Sequence, residues 1–159
     1  MFVLQLLLGV PLEMVHRWWR ILLIYLSGVL AGSLAVSIAD PHIFLAGGSG
    51  GVYSLITAHL ANVIANWGEM EFPALRLLSF LLVAGVDTGV AVYYRHTTDS
   101  RVSYTAHLAG AVAGLLLGLV LLRNLRHQTW ERALWWCGLL LFLGLFIGAV
   151  VWNAILIFQ

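Results

Sequence analysis

The chain has 159 residues, 62% of them apolar and only 9% charged, against about 25% charged in an ordinary soluble domain, so the composition reads as an integral membrane protein. All eight positive charges are arginine and the net charge is +1, which leaves no basic field for nucleic acid. The single cysteine, Cys137, lies in an apolar run, which excludes a disulfide framework and a Cys-x-x-Cys metal cluster; no cofactor or metal is expected.

Met1 leads straight into Phe2-Val3-Leu4-Gln5-Leu6-Leu7-Leu8, with no basic residue ahead and no clear small-x-small cleavage site, so this run is read as the end of a spanning segment rather than a signal. From Met1 to Leu12 it is too short to cross a bilayer unaided. Five longer runs follow: Ile21 to Ile38, Ser49 to Trp67, Leu75 to Tyr94, Ser103 to Leu122 and Leu134 to Phe158. Each has about the 20 residues that a helix needs to cross the hydrocarbon core. The connections are short, and no linker or extramembrane domain is visible. The expected fold is all-α: one polytopic transmembrane helix bundle over residues 1–159, with five full spans plus the end of a further helix.

The connections alternate sides, and charge fixes which side is which. Arg17, Arg20, Arg76, Arg123, Arg126 and Arg132 fall on one side and only Arg95 and Arg101 on the other. The arginine-rich side is therefore expected to be cytoplasmic. Ser49 then follows an outward-facing connection, and His107 lies early in a helix that starts on that same side. At 1.5 Å per residue both fall within roughly 10 Å of one membrane surface.

Serine needs a base to act as a nucleophile at neutral pH, and histidine is the usual one. Gly47-Gly48-Ser49-Gly50-Gly51 opens a helix, and Ser49 sits where free backbone N–H groups are available to a developing oxyanion. Packing or N-capping is the plainer use of the same residues. Tyr53, one turn on, either holds an imidazole ring by stacking or packs as an ordinary aromatic. Gly110 and Gly114 share a helical face with His107 and allow close backbone approach; Gly28-x3-Gly32, Gly85-x3-Gly89 and Gly144-x3-Gly148 are spaced for the same purpose. Asp87 lies inside a span and is either functional or faces a water-filled cavity. His59, Asn62 and Asn66 share a face and are read as a helix–helix hydrogen-bond seam, while His16, His42, His96 and His127 are read as loop residues.

Taken together the motifs resemble those of the rhomboid intramembrane serine proteases. Gly47-Gly48-Ser49-Gly50 matches the family's Gly-x-Ser-Gly, Tyr53 its following tyrosine, and Ala106-His107 with Gly110 and Gly114 its Ala-His-x-x-Gly-x-x-x-Gly. The wider stretches Gly48 to Leu55, Ala58 to Asn62 and Val102 to Gly110 resemble the animal secretase-type branch, and the similarity runs over essentially the whole chain. That resemblance implies six core helices plus one at the C-terminus, to which the run Leu134 to Phe158 corresponds. It also implies a Ser49–His107 dyad that cleaves the transmembrane segments of single-pass membrane proteins, with the active site toward the lumen or exterior of a secretory-pathway, Golgi or plasma membrane.

Two family features are absent from the sequence: the His-x-x-x-Asn motif of the second core helix, and the Trp-Arg pair of the loop after the first. Gln5 and Gly9 to Pro11 look like the end of that second helix, so the first core helix, its loop and the start of the second are expected to be missing here. His16-Arg17-Trp18-Trp19-Arg20 lies on the other side and reads as interfacial anchoring. Two alternatives stay open: a rhomboid-like protein that binds transmembrane clients without cutting them, and a channel or transporter using Asp87 and His59. The latter predicts an inverted repeat of broken helices, which the spacing does not show.

Overall fold

Backbone N–H and C=O groups in lipid have no water to bond and must pair within their own segment, which for runs of this length means helix. The computed structural model of the chain describes residues 2–39, 48–98, 104–122 and 129–158. These form α1 (Phe2–Val15), α2 (Trp18–Ala39), α3 (Gly48–Ala65), α4 (Pro73–Thr98), α5 (Tyr104–Leu121) and α6 (Thr129–Ile157), with no strand among the described residues. The short first run is thus a helix of 14 residues, with Pro11 inside it.

Five full spans were expected; by length and composition four helices qualify: α2, Pro73–Val90 within α4, α5, and Arg132–Leu156 within α6. The helix that falls short is α3, whose Ser49, Ser54, Thr57, His59 and Asn62 lower its hydropathy. Its surroundings account for this. Every residue from Gly50 to Ile56 is buried, as are Ala58, His59, Ala61 and Val63, and α1, α2, α4 and α5 all pack on it. Protein, not lipid, is the solvent of α3.

Small residues bring the backbones together. A Cβ on Gly110 would run into the backbone of Gly50, one on Gly114 into the backbone of Ser54, and one on Gly28 into the Ser54 side chain. At the Ser49 end of these contacts, a Cβ on Gly32 would stand 3.2 Å from the Ala106 carbonyl oxygen and 3.4 Å from Gly50 Cα. The Ser54 hydroxyl, fully buried between these layers, shares its proton between the carbonyls of Gly51 at 2.7 Å and Ile24 at 3.1 Å. These pairings set the register: α2 runs antiparallel to α3, and α5 parallel to it.

At the far end of this triplet the Arg20 guanidinium donates from Nη1 to the carbonyl of Leu121 at 2.8 Å, placing a cation on the last turn of α5, where free carbonyls favour it. α6 lies along α5 and α2 and is fastened near both ends. Trp135 Nε1 donates to the Val120 carbonyl at 3.0 Å, and Asn153 Nδ2 to the Leu34 carbonyl at 3.2 Å.

The other two glycine pairs do not make the helix contacts expected of them. A Cβ on Gly85, Gly89, Gly144 or Gly148 would meet nothing within 4 Å. They lie on exposed faces of α4 and α6, where the spacing of two glycines has no partner among the described residues.

This packing predicts a contrast between glycines. Gly114→Ala forces a methyl into the Ser54 backbone and is expected to lower the unfolding free energy in a mild-detergent SDS titration by about 1–3 kcal/mol, the usual cost of overpacking. Gly144→Ala, in open space, is expected to stay within about 0.5 kcal/mol of the unsubstituted protein.

Candidate active site

Because α3 begins at Gly48, the N–H groups of its first turn, including those of Gly48 and Ser49, have no intrahelical acceptor. Ser49 is half-buried there. Its neighbour Gly50 is the residue on which α5 and α2 converge. A Cβ on Gly50 would stand 3.3 Å from the carbonyl oxygen of Ala106, the residue that precedes His107. Ser49 and His107 therefore flank the same contact of α3 with α5. On another side, the ring of Tyr25 from α2 covers Gly51, close enough that a Cβ there would collide with it. Of the motif, Gly47 lies outside the described residues.

His107, one turn before Gly110, is buried beside the glycine contact. Its imidazole lies flat on the Tyr53 ring, with centroids 4.2 Å apart and planes 12° from parallel. Of the two uses considered for Tyr53, stacking on the imidazole is the one observed. Nδ1 of His107 is buried without a hydrogen-bond partner. The ring is thus held by its face rather than by a bond to its edge. With a proton on Nδ1, Nε2 carries the free lone pair that a base needs.

Tyr53 in turn is anchored on α4. Its hydroxyl donates to Asp87 Oδ2 at 3.0 Å and lies 2.9 Å from Thr88 Oγ1. Asp87 thus belongs to the same constellation as His107, and both it and Thr88 are half-buried. Thr88 escaped notice in the sequence. Its only signal was its place beside an intramembrane acid.

The remaining polar side chains lie away from Ser49. His59 Nε2 donates to the carbonyl of Leu8 on α1 at 2.8 Å, and its ring stacks on Phe80 of α4 at 4.3 Å. The expected helix–helix seam thus exists at His59, whereas Asn66 Nδ2 bonds Asn62 through its carbonyl at 2.9 Å and its side-chain oxygen at 3.0 Å, within one helix end. His16 lies in the connection after α1, as expected, but is buried there, and its Nδ1 donates to the Leu12 carbonyl at 3.3 Å. His96, also expected in a loop, lies within α4, which runs on to Thr98; its side chain is outside the described residues, as are His42 and His127. A cavity of about 560 Å³ opens beside His16, His59, Asn62, Glu69 and Arg76, and neither Ser49 nor His107 lines it. Among the described residues no three His, Cys, Asp or Glu side chains are grouped to hold a metal.

A family model described as the rhomboid domain matches residues 2–124. The chain is 44% identical to human "Rhomboid-related protein 3" over 95% of its own length and 39% of that protein's. It is 39% identical to "Inactive rhomboid-related protein 2" of Caenorhabditis elegans, over 93% of the chain and 42% of that protein. It is 30% identical to "Rhomboid-like protease 5" of Toxoplasma gondii, over 76% of the chain and 14% of that protein. The chain thus spans about two fifths of the length of human "Rhomboid-related protein 3".

His59 bridges α1 and α4 through α3, so two replacements separate its two contacts. His59→Phe keeps the stack and loses the bond to Leu8, with an expected loss of about 1 kcal/mol in unfolding free energy. His59→Leu loses both, and about 1–3 kcal/mol is expected in the same SDS titration.

Proposed function

The chain belongs to the rhomboid family, and on that footing we propose that it is an intramembrane serine endopeptidase that cuts the transmembrane segments of single-pass membrane proteins. The observation that carries this reading is the imidazole of His107, stacked on Tyr53 one helical turn from Ser49 and fixed there by the α3–α5 glycine contact. A buried histidine with a free edge, level with a serine on a helix N-terminus, is what covalent hydrolysis requires.

In this reading Ser49 Oγ attacks the carbonyl carbon of the scissile peptide while His107 Nε2 takes the hydroxyl proton. Backbone N–H groups of Gly48 and Ser49 bond the oxygen that becomes negative. As the C–N bond breaks, His107 gives its proton to the leaving amine, and an ester on Ser49 remains. Water then attacks the ester, passing its proton to His107, and Ser49 is regained with that proton. Tyr53 supports the imidazole; Gly50, Gly110 and Gly114 keep α3 and α5 close enough for the two side chains to meet.

A second reading, a protein that holds transmembrane clients without cutting them, is favoured by the similarity to a relative whose name calls it inactive. The two readings part on Ser49. With the chain in lipid vesicles together with a single-pass substrate, Ser49→Ala and His107→Ala are each expected to lower cleavage by more than about 10³-fold. Substrate that co-purifies uncut with the unsubstituted protein would favour the client-binding reading.

The arginine-rich ends of the helices face the cytoplasm in this proposal, and the Ser49 end faces the lumen or exterior of a secretory-pathway membrane. Gly68, between α3 and α4, is exposed at the arginine-rich end. In a Cys137→Ser background, Gly68→Cys is expected to react with an impermeant maleimide only after permeabilisation. Labelling in intact cells would reverse the orientation.

A further inference from the structure

A base must present one edge of its ring to the nucleophile, and for His107 no hydrogen bond does the holding: Nδ1 is buried without a partner. What fixes the plane of the imidazole is the Tyr53 ring, 4.2 Å away and nearly parallel. A stacked ring is only as well placed as the ring it lies on. Tyr53 can still slide and tilt about its own side-chain torsions unless its far end is held.

That far end is held twice, both times by α4. The Tyr53 hydroxyl has one proton and donates it to Asp87 Oδ2 at 3.0 Å. The contact of 2.9 Å with Thr88 must then run the other way, with Thr88 Oγ1 donating to the Tyr53 oxygen. Thr88, Tyr53 and Asp87 form a directed chain of two bonds, with the ring that carries the imidazole at its middle. Neither α4 residue is seen to bond His107 itself.

We infer that Asp87, together with Thr88, is a positioning residue for His107 and acts through the Tyr53 ring. The inference rests on the proposed dyad only for its catalytic consequence; the geometry it asserts is independent of any cleavage. It also separates Asp87 from a third member of a triad, which would bond Nδ1 directly. A purely structural role, fastening α4 to α3, predicts that loss of Asp87 leaves the imidazole as it was.

The test uses the full chain in lipid vesicles and the variants Asp87→Leu, Asp87→Asn, Tyr53→Phe and the double variant Asp87→Leu with Tyr53→Phe. The first readout is the rate at which diethylpyrocarbonate modifies His107, followed peptide by peptide by mass spectrometry. Release of one buried hydrogen bond is expected to raise this rate about fivefold in Asp87→Leu and in Tyr53→Phe alike. The double variant is expected to react no faster than either single one, because the two act in series. Asp87→Asn, whose amide oxygen still accepts the bond, should fall within about twofold of the unsubstituted protein. The second readout is cleavage, where kcat is expected to fall about fivefold in the same variants with KM unchanged.

An unchanged modification rate in Asp87→Leu, or effects that multiply in the double variant, would overturn the inference. Should Asp87→Leu fail to fold, Thr88→Val removes the other bond and is expected to raise the rate about twofold. Cleavage that survives Ser49→Ala would defeat the proposed protease reading while the modification rates still decide the role of Asp87.

Discussion

A helix that carries Ser49, Ser54, Thr57, His59 and Asn62 is stable within a membrane only where other helices, rather than acyl chains, cover it. Glycine is what lets them come close enough. Gly28 and Gly114 leave no room for a methyl beside Ser54, and Gly110 leaves none beside Gly50. Without a hydrophobic drive between helices in lipid, association rests on such backbone approach and on bonds like those of Ser54 to Gly51 and Ile24. The polar sequence of α3 and the small residues of α2 and α5 are therefore two halves of one constraint.

The same contact places the two residues of the proposed dyad. Gly50 sits between Ser49 and the layer formed by Gly110 and Ala106, so the register that packs the helices also brings His107 to the level of Ser49. One turn further along α3, Tyr53 meets the imidazole face. No loop has to be ordered to bring these groups together. They stand on rigid elements, which is the condition for a site held to within a fraction of an ångström.

Much of this was legible in the sequence because membrane helices obey few rules. Run lengths gave the helices, and the spacing of Gly110 and Gly114 from His107 indicated the packed face. Spacing alone misled where it lacked a partner. Gly85 with Gly89 and Gly144 with Gly148 repeat the pattern of Gly28 with Gly32 yet face open space, because a helix face has no knowledge of its neighbours until the bundle forms. His16 lies in a connection as expected, yet its ring turns inward onto the Leu12 carbonyl, a burial that spacing does not reveal. α3, read as a span from its length, is not among the four helices apolar enough to cross, because hydropathy measures affinity for lipid and α3 is covered by protein. Thr88 and Tyr25 were invisible, since their roles depend on which helix stands opposite.

The helices are not fastened equally. α2, α3 and α5 interlock through backbone, and α6 is tied to α5 by Trp135 and to α2 by Asn153. α4, by contrast, is tied to α3 by the stack of Phe80 on His59 and by the bonds of Asp87 and Thr88 to Tyr53, while its glycines stand bare. Regions with few buried apolar contacts open at the smallest free-energy cost, and no described residue of α4 is fully buried. Ser49 and His107 both stand on the interlocked block and keep their level whatever α4 does. The orientation of the imidazole is another matter, because the ring that carries it is anchored on α4. In the proposed reaction, a helix that contributes no reacting atom thus sets the alignment of one that does.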